Sequence, residues 1–198
     1  NDTSYPPMHN NDELIVDDKE KADLFNMFFL QHNNTDTSNA TLPNFNDQPK
    51  SNMDKFRVTE QEVLDVLKNL DTNKATGPDG LSTRMLKEAA PVVAPSLSKL
   101  INLSLETNTF PTTWKRANVT AMHKKGERAD VKNYRPISLL SCVSKVMEKC
   151  IFKHVFNFLR DHALLTRFQS GFVPNDSTVH QLVELYHQFA EALDHKKD

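Results

Sequence analysis

With 198 residues, 38% of them hydrophobic and 25% charged, the chain has the size and polarity of a soluble globular protein, one domain or a domain with an appendage. No apolar run approaches the roughly 18 residues of a membrane span. No secretory signal pattern opens the sequence, and the two cysteines, Cys142 and Cys150, belong to no CxxC pair, which predicts reduced thiols without a disulfide partner and no structural zinc.

The net charge of −2 hides an asymmetry: residues 111–160 hold 11 Lys and Arg against 3 Asp and Glu, whereas residues 1–73 hold 6 against 14. A basic segment of this kind is the footprint of a polyanionic partner, and also of an ordinary solvated surface.

In chain order, residues 1–16 read as irregular. DDKEKADLFNMFFLQH (about 17–32) has acidic residues at its start and an apolar face of Leu24, Phe25, Phe28 and Phe29, which predicts a helix. Residues 33–56 are rich in Asn, Asp, Ser and Thr without periodicity and read as a polar loop, with a compact domain beginning near Phe56. Thr59 and Glu62 form a capping box ahead of Val63, Val66, Leu67 and Leu70. Gly77-Pro78-Asp79-Gly80 is turn chemistry, with Ser82 or Thr83 placed to start a short helix through Ala90. Pro91 reads as an interruption and Pro95 as a first-turn residue of a helix through about Thr107.

Ala117–His123 has strand character, and a second extended stretch around Ile137–Leu140 predicts a hairpin with a wide loop. From Val143 to about Leu165 the apolar spacing is helical. FQSGFVPNDST (168–178) reads as a loop. Ser177 caps a last helix, in which Val179, Leu182, Val183, Tyr186, Phe189 and Leu193 form the stripe expected to be buried. The opposite face carries His180, Glu184, His187 and Glu191; Glu184 and His187 have the spacing of carboxylate-bridged metal bundles, but such bundles need further copies on facing helices. A solvated surface is the natural reading.

Within AMHKKGERADVKNYRPISLLS (121–141), a doubled lysine before a glycine is followed by an arginine locked against a proline. A hairpin would bring a lysine, acting as a point charge, and an arginine, offering a two-donor fork, onto one anion. A solvated basic turn is the alternative.

Three blocks stand in order: ATGPDGLSTRMLKEA (75–89), FPTTWKRANVTAMHKKGERADVKNYRPISLLSCVSKVMEK (110–149) and FQSGFVPNDST (168–178). This succession resembles the start of the reverse transcriptase domain of non-LTR, LINE-type retrotransposons, particularly the jockey-like group, and DDKEKADLFNMFF resembles the stretch that precedes the polymerase in those elements. The resemblance covers roughly residues 10–195.

It implies the fingers region of a right-hand polymerase: α+β, mostly helical, with a small β-hairpin, and truncated before the palm aspartate strand. Residues 1–55 would be a pre-polymerase linker and 56–198 a partial reverse transcriptase domain. It assigns Lys124, in preference to its neighbour Lys125, and Arg135 to the triphosphate of the incoming dNTP. It assigns Gln169, Gly171 and Phe172, together with Gly77 and Asp79, to the RNA template. For Phe172 a buried packing role stands beside template contact, and for the GPDG block a helix-capping turn does.

The aspartates that hold magnesium in the complete polymerase have no counterpart in the motifs of this chain, since none of its three tyrosines is followed by Ala-Asp-Asp. No catalytic residue, metal ligand or cofactor is therefore expected in the chain itself, with RNA template, DNA primer and dNTP as partners of the parent polymerase and an intracellular setting in cytoplasm and nucleus. A non-enzymatic helical remnant that binds nucleic acid or protein is the alternative.

Overall fold

The computed structural model describes residues 4–10, 13–33, 41, 51–166 and 168–195, except the side chains of residues 32 and 33. Most of the polar loop expected over 33–56 lies outside the described residues. The chain divides into two compact units, residues 1–152 and 153–198. The regular elements of the described residues are six α-helices, two short 3-10 helices and two two-stranded antiparallel sheets, an α+β composition.

The first unit has two apolar clusters. One is helical and draws on residues 58–114 and 142–150, on either side of the β-hairpin. Helix α2 (Glu60–Lys68) starts at the expected capping box: Glu62 N donates to Thr59 Oγ1 at 3.2 Å while Thr59 N donates to Glu62 Oε2 at 2.9 Å. Its Val63 and Leu67 are buried. Helix α3 (Thr83–Glu88) is capped by the Ser82 hydroxyl, which accepts from Met85 N at 3.1 Å. Helix α4 (Ala90–Glu106) buries Ala90, Ala94, Leu97 and Ile101, and α5 (Cys142–Asp161) adds Cys142, Val146, Met147 and Cys150. The side chain of Asn102 on α4 pairs with both backbone groups of Val58, N and O, each at 2.8 Å. That double bond fixes the chain's entry into α2.

Pro91 does not interrupt α4. It falls in the first turn, where the missing N–H has no intrahelical partner to lose. Pro95 is the one inside the helix.

The second cluster joins the N-terminal segment to the hairpin. Residues 1–16 are not wholly irregular: β1 (Met8–Asn10) pairs with β2 (Glu13–Ile15), Met8 opposite Ile15. Three-residue strands carry too few side chains to display a period of two, which hid them from pattern reading. Helix α1 (Asp18–Asn33) follows, with Asp17 Oδ1 accepting from Lys19 N and Glu20 N at 3.0 Å. Phe25 is buried beside Met8, Val131 and Tyr134, with Phe28 and Phe29 half-buried around it.

In the second unit, the end of α5 leads through residues 162–177 into α6 (Thr178–Asp194), whose N-cap Ser177 accepts from His180 N at 3.3 Å. The stripe expected to be buried on α6 is exposed: Leu182, Val183, Tyr186 and Phe189 are between 61 and 76% accessible. Periodicity identifies the face that favours cover and says nothing of whether a neighbour supplies it.

A candidate phosphate-binding face on the hairpin

Strands β3 (Ala117–His123) and β4 (Tyr134–Leu140) form the predicted hairpin, with β4 starting three residues earlier than Ile137 and so taking in Arg135. Their register pairs Ala117 with Leu140, Ala121 with Pro136, Met122 with Arg135 and His123 with Tyr134. Lys124 continues the ladder by donating its N–H to Asn133 O at 2.8 Å. Since directly opposed residues share a face and alternate residues return to it, Thr120, Met122 and Lys124 lie on one face with Asn133, Arg135 and Ile137. Val119, Ala121, His123, Tyr134, Pro136 and Ser138 lie on the other.

The second face is the one turned to α1. Tyr134 is buried there, 4.8 Å from Phe25 and 5.2 Å from His123 between ring centroids, and the Tyr5 hydroxyl donates to Ala121 O at 2.9 Å. Beyond the aromatic contacts a groove of about 770 Å³ separates α1 from Val119, Pro136 and Ser138. At its edge Lys21 is buried, its Nζ donating to Tyr5 O at 3.0 Å and to Asp18 at 3.1 Å.

The first face is open. Lys124 and Arg135 are both exposed, and among the described residues neither is in an ion pair. They are diagonal neighbours across the ladder, a relation that places backbone positions roughly 7–8 Å apart.

The turn that presents Lys124 is tightly braced. Gly126 takes φ +82°, which side chains disfavour, and a Cβ on it would stand 2.8 Å from the Asn133 amide nitrogen. Asn133 Nδ2 donates to Glu127 O at 2.9 Å, and His123 Nε2 lies 3.1 Å from Gly126 O. The Tyr134 hydroxyl donates to Arg128 O at 2.7 Å, and His9 N donates to Ala129 O at 2.8 Å, tying β1 to the loop.

Gly77 and Asp79 sit at the far end of β4. Gly77 is buried, and a Cβ there would lie 2.5 Å from Ser141 N and 2.6 Å from the Leu140 carbonyl carbon. Asp79 accepts from Leu81 N at 3.2 Å and from the Ser141 hydroxyl at 2.5 Å. Both are engaged in joining the GPDG loop to the start of α5. Ser141 was not singled out in the sequence because its partner is 62 residues away.

In the second unit, Gln169 Nε2 donates to Gly171 O at 2.7 Å, closing a small ring, and Gly171 is otherwise open, with only that Gln169 nitrogen near a hypothetical Cβ. Phe172 takes φ 64° and is 100% exposed among the described residues. Asp176 organises the loop's end: it accepts from Ser177 N at 2.7 Å and lies 3.3 Å from His180 Nδ1. The Ser170 hydroxyl bond, then the Ser177 amide, holds its carboxyl below the ordinary value of 3.8.

His180 is therefore engaged with Asp176, and Glu184 accepts from Gln188 Nε2 at 3.4 Å. Among the described residues no group of three or more His, Cys, Asp or Glu side chains could hold a metal ion. No described helix is long and apolar enough to cross a membrane, and Cys142 and Cys150 are both buried.

No family model matches the chain. It is 30% identical over 193 residues to a protein of Drosophila melanogaster named as a probable RNA-directed DNA polymerase from transposon BS, a match covering 93% of this chain and 21% of that protein. It is 31% identical over 141 residues to the RNA-directed DNA polymerase from mobile element jockey of the same species, covering 71% of this chain and 15% of the relative. A third relative, from transposon X-element, is 30% identical over 137 residues, 69% of this chain and 15% of its own length. The chain thus spans about a fifth or less of the curated relatives it matches.

Proposed function

From its kinship with the RNA-directed DNA polymerases of jockey-like and other non-LTR retrotransposons, we propose that this chain is the fingers part of such a polymerase, with residues 1–55 leading into it and 56–198 forming part of the reverse transcriptase domain. The open face of β3–β4 receives the triphosphate of an incoming dNTP. Lys124 contributes a compact charge and Arg135 a planar donor fork, so that charge and orientation come from two different side chains. The observation that carries this reading is the ladder register, which sets the two cations side by side on the exposed face.

Gln169, Gly171 and Phe172 meet the RNA template. An aromatic ring exposed among the described residues suits stacking on a base, an interaction worth about 1–3 kcal/mol per base. Gly77 and Asp79 serve the template side by holding their loop against the end of β4. Magnesium, primer contacts and an intracellular setting belong to the complete polymerase under this proposal.

The test is equilibrium binding of a deoxynucleoside triphosphate and of single-stranded RNA to the chain. Lys124→Ala with Arg135→Ala is expected to weaken triphosphate binding at least tenfold and to flatten the salt dependence of RNA binding, because fewer phosphate contacts release fewer counterions. Equal affinity of the double variant and the parent would remove the assignment.

A second reading is favoured by the exposed stripe of α6: an interaction module whose Leu182, Val183, Tyr186 and Phe189 meet another macromolecule. Triphosphate binding separates the two readings, since a pure interaction module has no use for the paired cations.

A further inference from the structure

We propose that Asn133 is the positioning residue of the hairpin site: it sets where Lys124 stands relative to Arg135. This rests on the reading of Lys124 and Arg135 as phosphate ligands. Asn133 lies between them on the open face, directly opposite Lys124 and two residues before Arg135 on the same strand side. Three separate contacts converge on it. Its carbonyl accepts from Lys124 N at 2.8 Å, its amide nitrogen donates to Glu127 O at 2.9 Å, and its side chain fills the space beside the Cα of Gly126 that a Cβ would need.

The backbone of residues 124–127 is therefore clasped from the Arg135 side by one residue. The amide's bond to Glu127 O closes the end of the turn that the ladder bond leaves free. Without it, Gly126, the residue with the widest conformational range, becomes a hinge directly after the two lysines, and the lysine charge spreads over a larger volume. Affinity falls because the freedom must then be lost on binding. Asn133 needs no contact with the ligand for this, and an apolar residue of its size cannot replace it, since it would lack the donor that reaches Glu127 O.

The experiment is a double-mutant cycle on the full chain, with dTTP as probe at low ionic strength. Asn133→Ala is expected to weaken dTTP binding about fivefold, the worth of one hydrogen bond, while the protein still melts cooperatively. In a Lys124→Ala background the same change is expected to cost nothing more, because Asn133 acts through Lys124.

Parent-like affinity of Asn133→Ala, with Lys124→Ala weakened, overturns this inference and leaves the phosphate assignment standing. Independent, additive losses also overturn it. Parent-like affinity of Lys124→Ala overturns the assignment and the inference together. Asn133→Leu, close in size but without the donor, is the second variant, expected to lose affinity equally. Failure of both variants to melt cooperatively makes Asn133 a folding residue only and overturns the positioning role.

Discussion

Asp79 and Ser141, 62 residues apart in sequence, meet at 2.5 Å, the serine hydroxyl donating to the carboxylate. Ser141 is also where β4 hands over to α5, its hydroxyl oxygen accepting from Val143 N at 3.2 Å. The strand that carries Arg135 is thereby anchored at one end by the GPDG loop and at the other by the braced turn.

Gly77 makes that anchorage sensitive to a single methyl group. Its hypothetical Cβ meets backbone atoms of Leu140 and Ser141, which cannot rotate aside as a side chain can. Gly77→Ala is expected to destabilise the chain by about 1–3 kcal/mol, read as a lower urea midpoint. Gly171→Ala, where nothing but the Gln169 amide comes near, should leave the midpoint nearly unchanged.

Asn102 is the helical cluster's equivalent clasp. Buried, it satisfies both Val58 N and Val58 O. Asn102→Ala leaves two buried backbone groups without partners, at a cost of about 1–3 kcal/mol for each. Urea unfolding of the variant checks this, and the amide of Val58 should lose hydrogen-exchange protection first.

The loop before α6 should loosen in acid. Asp176 has a carboxyl held below 3.8 in the folded chain, so its contribution is fully present above the ordinary carboxylate range. It is lost as pH falls through the depressed value, where the folded state must take up a proton. Protection factors of the Ser177 and His180 amides, measured down a pH series, are expected to fall as the pH drops below 3.8. In Asp176→Asn that acid-specific step should be absent.

What could be read from the sequence was local. The Thr59–Glu62 box, the Ser82 and Ser177 caps and the strand at 117–123 all depend on residues within a few positions of each other, and they stand where expected. What could not be read depended on partners far away. Pro91 looked like a break because its tolerance depends on where the helix begins. β1 and β2 were too short to show alternation, and their place beside the 124–133 loop rests on a bond from His9 to Ala129. The α6 stripe was visible, but the presence of a cover was not. At the hairpin, Lys124 and Arg135 were found through a resemblance to other sequences, whereas Asn133 carries no signal, since an asparagine before Tyr-Arg-Pro reads as loop polarity until the register puts it between the two cations.

The open face of β3–β4 is the phosphate-binding face under the proposal made here. Amide chemical shifts followed during a dTTP titration of the full chain test it most directly. The largest changes are expected at Met122, Lys124, Gly126, Asn133 and Arg135, with Ala121 and Tyr134 on the covered face much less affected. Shifts concentrated on the groove side, at Phe25, Ala121 and Ser138, with Lys124 and Arg135 unmoved, would contradict it.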